Sequence, residues 1–235
     1  MVQIELQHGD GEISIGRRTW LTFEMIALFG GIPVAVYYLV VVYYLLHRYH
    51  VPLLMIFLPA SALFIVALSF QRTFSWWRTL TTGISWLHIL GILAVFALVG
   101  PALAIYAWHT EPSRYLYFPK AAYHFWLLVM IAYPLISVTT QEIMYRVFFF
   151  HRYGPLFARD RKALIALNAV YFAFGHIIFM SMPSVVLSFF GGLLFAWRYD
   201  RTRSYWAVVL EHALYGDLIF TVGLGRHFYT GVANF

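Results

Sequence analysis

Cysteine is absent from the 235 residues, and charge is scarce, with Asp, Glu, Lys and Arg making up 11% of the chain against roughly 25% in soluble domains. The missing cysteine excludes a disulfide framework, a thiolate zinc site and a cysteine nucleophile. The missing charge excludes an ordinary water-facing surface. No repeat, linker or low-complexity stretch marks a second domain. A net charge of +6 would suit nucleic acid in a soluble protein, but in so apolar a chain it belongs to cationic loops at a membrane, and no nucleic-acid partner is expected.

What is present is hydrocarbon: 62% of the residues are hydrophobic and 20% are aromatic. Runs of roughly 20 apolar residues cross a bilayer. Such runs fall at about 21–46, 51–70, 83–107, 121–150, 163–180, 183–198 and 204–225. The expected fold is therefore an all-α polytopic membrane protein with about seven transmembrane helices. Pro134, inside the fourth run, is expected to kink that helix because it deletes a backbone donor. Residues 1–20 begin with acidic and polar side chains and show no small-residue cleavage site after a short apolar core, so they read as a cytoplasmic tail rather than a cleaved leader.

Cationic residues set the orientation. Arg17, Arg18, Arg72, Arg78, Arg152, Arg159, Arg161, Lys162, Arg198, Arg201 and Arg203 would lie inside, against Arg48, Arg114, Lys120 and Arg226 outside. The N-terminus is thus expected in the cytoplasm and residues 226–235 outside, in an inner (plasma) membrane. Arg146 alone among the cations is left within a span.

Ionisable side chains in a bilayer are costly, about 2.5–3.5 kcal/mol each even on insertion scales, and mark functional positions by default. Glu24 and His124 lie near the ends of their runs and can reach headgroups. His88 stands alone on an apolar helix. Glu142, Arg146, His176, Glu211, His212 and Asp217 all fall in the last four runs. Measured from the cationic loop edges at about 1.5 Å per residue, Glu142, His176 and His212 lie roughly 15, 21 and 14 Å deep. Three helices thus carry three proton-handling groups to comparable depth. A purely structural network explains the Glu142–Arg146 pair, one turn apart, but not the two further histidines.

The motifs of other membrane peptidases are missing. There is no G-x-S-x-G, no Gly-x-Gly-Asp with paired aspartates, and no H-E-x-x-H. One carboxylate and two imidazoles support two mechanisms. Glu142 and His176 activate a water while His212 donates to the developing oxyanion. Alternatively, Glu142, His176 and His212 bind zinc with water in the fourth position.

Gln141-Glu142-x-x-x-Arg146, Phe172-x-x-x-His176 and His212-x-x-x-Gly216, in that order on separate apolar runs, resemble the CPBP (CaaX protease and bacteriocin-processing, Abi) intramembrane proteases. That family carries Glu-Glu-x-x-x-Arg, Phe-x-x-x-His and His-x-x-x-Asn. The resemblance covers about residues 121–225, which would form the catalytic core from the last four helices, with 21–120 as N-terminal transmembrane helices. It implies a glutamic-type endopeptidase without a required metal, acting on membrane-anchored precursor peptides or C-terminal sorting tails. Glu142 and His176 would be the water-activating pair, His212 the oxyanion donor and Arg146 the partner that orients Glu142. The chain departs from the family twice. Gln141 stands where the family has its first glutamate, and Gly216 stands where it has asparagine, so Tyr215 or Asp217 would have to replace a lost donor. Rival readings are a non-catalytic scaffold or chaperone of the same fold and, without an internal repeat in its favour, a transporter.

Overall fold

The computed structural model describes residues 14–29 and 53–228. Among them every regular element is helical. The helices are α1 Ile15–Phe29, α2 Leu53–Ser69, α3 Trp76–Thr81, α4 Trp86–Thr110 and α5 Tyr117–Ala121. They continue with α6 Tyr123–Phe157, α7 Arg161–Phe179, α8 Met182–Thr202 and α9 Tyr205–Val222, followed by a short 3₁₀ turn at Leu224–Phe228. The first expected span lies partly outside the described residues; its described part belongs to α1.

Local sequence fixes the helix starts. Ser75, Ser85, Asp160 and Ser204 each accept a backbone N–H of the first turn of α3, α4, α7 and α9. These caps satisfy donors that no intrahelical carbonyl reaches. In α6, Pro134 has no N–H to offer the preceding turn, and the helix widens there into a π-helical stretch, Tyr133–Val138. A second such stretch, Ile143–Phe148, follows directly after Glu142. The expected kink is thus realised as a local widening within a helix that runs on to Phe157.

The distribution of side chains is inverted relative to a soluble protein. Arg146, Glu142 and Glu211 are each 0% exposed, whereas Leu98, Leu87 and Phe190 are 77%, 77% and 63% exposed. Charge is inside and hydrocarbon outside, the arrangement a bilayer requires. Three described helices are long and apolar enough to cross it: Trp86–Thr110, Tyr123–Phe157 and Arg161–Phe179. The chain is a multi-pass membrane protein, all-helical over the described residues. The remaining expected spans that lie within the described residues are helical as well, in α2, α8 and α9, without meeting the same measure.

The core is largely aromatic. Phe29 of α1 meets Phe149 and Tyr153 of α6 edge-on at 5.4 and 6.0 Å. Between α7 and α8 the approach is close: a Cβ on Gly192 would lie 3.0 Å from the Ala169 Cα and 3.3 Å from the Phe172 ring. This small-residue contact holds Phe172 against the bundle interior.

One sequence expectation needs correction. Arg198 is not a loop-edge cation. It is 5% exposed, and its guanidinium donates to both Glu211 oxygens at 2.9 and 2.8 Å. Arg146 is therefore not the only cation buried among the helices. Glu24 likewise meets protein, at 2.8 and 2.6 Å from Arg152 and 3.0 Å from the Tyr153 hydroxyl.

Candidate active site

Four residues from two helices form the centre. On α6, Glu142 lies one turn before Arg146, and Oε2 approaches the arginine Nε at 3.2 Å with both side chains fully buried. From α9, His212 donates its Nδ1–H to Glu142 Oε1 at 2.7 Å. On its far side, His212 Nε2 lies 3.2 Å from the hydroxyl of Tyr133, which is again on α6. The result is a line of groups, Arg146–Glu142–His212–Tyr133, running from cation to carboxylate to imidazole to phenol.

Aromatic rings wall this line. Arg146 Cζ sits 4.3 Å above the Phe172 ring and 5.4 Å from that of Phe195. None of its N–H groups makes a regular hydrogen bond to a described residue, so ring faces and the Glu142 carboxylate hold this cation. His212 stacks on Phe195, 4.6 Å between centroids at 21°. Phe172 also touches both histidines, with centroids 4.6 Å from His176 and 5.6 Å from His212.

His176 stands at the end of α7, where the helix tightens into a 3₁₀ turn. Its Nδ1 lies 2.7 Å from the Phe172 carbonyl oxygen. A carbonyl only accepts, so Nδ1 carries the proton and Nε2 of the neutral ring keeps its lone pair. The same logic applied to His212 gives an Nε2 that accepts from Tyr133 when the ring is neutral and donates only as imidazolium.

Glu142, Arg146, His212 and Phe172 thus come together as the motif order implies, and His176 joins them through the shared Phe172 ring rather than by a hydrogen bond to Glu142. Gln141 turns along its own helix and donates to Ser137 Oγ at 2.9 Å. Tyr215 packs on Phe96 and Phe195, at 5.2 and 6.2 Å. The Tyr215 hydroxyl and Asp217 Oδ1 have no hydrogen-bond partner among the described residues. Gly216 leaves a space that Tyr133 fills. Tyr133 belongs to no motif, and its one signal in the sequence is the glycine a turn beyond His212.

No group of three His, Cys, Asp or Glu side chains placed to hold a metal occurs among the described residues.

The fold and the site define a helical membrane protein with a buried carboxylate–imidazole centre. Residues 123–216 match the family described as type II CAAX prenyl endopeptidase Rce1-like. This is a protease family, and the match bears out the resemblance to the CPBP proteases over the segment that carries Glu142, His176 and His212. No curated protein and no solved structure matches the chain.

Proposed function

We propose that the chain is an intramembrane endopeptidase that hydrolyses membrane-associated precursor peptides or C-terminal tails. The observation that carries this reading is the buried line Glu142–His212–Tyr133, with His176 beside it presenting an unprotonated Nε2. His176 Nε2 takes a proton from water as the oxygen attacks the scissile carbonyl. That proton then passes to the leaving amine as the C–N bond breaks. Glu142 accepts the His212 Nδ1–H and so holds that ring in place beside the carbonyl oxygen on which the tetrahedral oxyanion forms. Arg146, 3.2 Å from the other carboxylate oxygen, orients Glu142.

An open apolar groove of about 400 Å³ lies on the outer face between α7 and α8, lined by Val170, Phe174 and Ile177 on one side and Val186 and Phe190 on the other. It adjoins the turn that carries His176 and supports an apolar, membrane-held substrate. Seven spans with the N-terminus cytoplasmic, in an inner membrane, complete the proposal on the strength of the cationic loop bias.

The test uses purified protein in nanodiscs with a membrane-anchored reporter peptide, products being read by mass spectrometry. Wild type should release a fragment ending at one peptide bond, and His176→Ala should not. Equal release by both proteins rejects the peptidase reading, and release by neither favours a scaffold.

A further inference from the structure

A side chain at position 216 would project from α9 one turn beyond His212, on the same face. None is present, and the volume is taken from the opposite helix. A Cβ built on Gly216 would fall 2.2 Å from Tyr133 Cε1 and 2.5 Å from its hydroxyl oxygen. No Cβ survives such an approach, so the glycine is the condition for the tyrosine to be there. The ring is fixed further by Phe220, edge-on at 5.1 Å, and its position on α6 is set by the π-helical stretch that opens at Tyr133 itself. Its hydroxyl reaches one group among the described residues, His212 Nε2 at 3.2 Å.

This contact is chemically informative because the other end of His212 is committed. Nδ1 gives its proton to Glu142 at 2.7 Å. A neutral His212 then has no N–H left to offer a substrate, whereas the phenol beside it always carries an O–H. Rotation about a single C–O bond redirects that O–H from Nε2 to an oxygen lying near both groups. The Tyr215 hydroxyl and Asp217 Oδ1 bond neither to His212 nor to any other described residue, so Tyr133 is the hydroxyl held at His212 Nε2.

We propose that Tyr133 is a catalytic residue whose hydroxyl donates a hydrogen bond to the substrate oxyanion beside His212, and that Gly216 is the residue that admits it. The proposal rests on the peptidase reading above. No proton leaves the phenol. Water's proton goes to His176, the tetrahedral oxygen is held by hydrogen bonding, and the C–N bond breaks with that proton on the leaving nitrogen. A preorganised donor of this kind acts on the transition state more than on the bound substrate.

The test measures kcat and KM on the anchored reporter in nanodiscs. Tyr133→Phe keeps the ring that fills the Gly216 space and removes only the hydroxyl. It should lower kcat by about 10²–10³-fold, the usual effect of removing one oxyanion donor, with KM moving less than about threefold. Its unfolding temperature should stay that of wild type. Gly216→Ala, which evicts the ring, should lower kcat comparably. Tyr133→Ala combined with Gly216→Asn, which returns a donor from α9, should recover activity that Tyr133→Ala loses. A Tyr133→Phe enzyme with kcat within about threefold of wild type overturns the proposal, as does a loss explained by unfolding alone. In either case an inactive His176→Ala leaves the peptidase reading standing. A His176→Ala enzyme as active as wild type overturns both.

Discussion

Glu142 and His212 meet at 2.7 Å, carboxylate to imidazole N–H, with Arg146 on the other carboxylate oxygen at 3.2 Å. Glu142 therefore serves two partners, and the two ways of altering it should separate. Glu142→Ala leaves a fully buried guanidinium without its counter-charge and should cost about 3–5 kcal/mol, read as a lower unfolding temperature in detergent. Glu142→Gln keeps the volume and loses the charge. It should fold more nearly as wild type yet cleave the reporter about 10²–10⁴-fold more slowly.

Gln141 should matter little. Its side chain donates to Ser137 on its own helix rather than to Arg146 or His212. Gln141→Ala should change stability by about 0.5–1.5 kcal/mol, the worth of one hydrogen bond, and leave the cleavage rate near that of wild type. A severe loss of cleavage in a folded Gln141→Ala protein would make Gln141 part of the chemistry.

The Arg198–Glu211 pair should act on stability alone. Both side chains are buried and bond in a two-pronged geometry, and Glu211 precedes His212 without hydrogen-bonding to it. Arg198→Ala should destabilise by about 3–5 kcal/mol because it strands a buried carboxylate. Arg198→Met with Glu211→Leu should recover most of that, and a double-mutant cycle of unfolding temperatures checks it.

Outside the spans, His227 gives a pH-dependent contact. Its Nδ1 lies 2.7 Å from Ser181 Oγ, its Nε2 lies 3.6 Å from Glu111, and Arg226 pairs with the same carboxylate. Burial, then the neighbouring Arg226, push its pKa below the ordinary range, while Glu111 pulls the other way. The unfolded chain therefore binds more protons. Stability supplied by this turn is complete above about pH 6.5 and is lost as pH falls below it. His227→Asn should flatten the fall in unfolding temperature between about pH 7.5 and 5.

Much of this architecture was legible in the residues themselves. Apolar runs place the helices, and the costly charges point to Glu142, Arg146, His176 and His212. Three features were not legible. The π-helical stretches at Tyr133–Val138 and Ile143–Phe148 change the angle between successive side chains, so a regular helical period does not predict which residues share a face with Glu142. Arg198 sits in a cluster of charges that reads as a loop, but α8 continues to Thr202 and carries it inward to Glu211. Gly216 reads as a lost donor until the packing shows Tyr133 in its place.

The central claim is that Glu142 and His176 belong to one hydrolytic site. It is tested most directly by co-expressing small membrane precursors with wild type, Glu142→Gln or His176→Ala, each confirmed as folded, and sequencing the ends of the products. The account predicts a new terminus with wild type and none with either variant. The same terminus, formed at the wild-type rate by both variants, would contradict it.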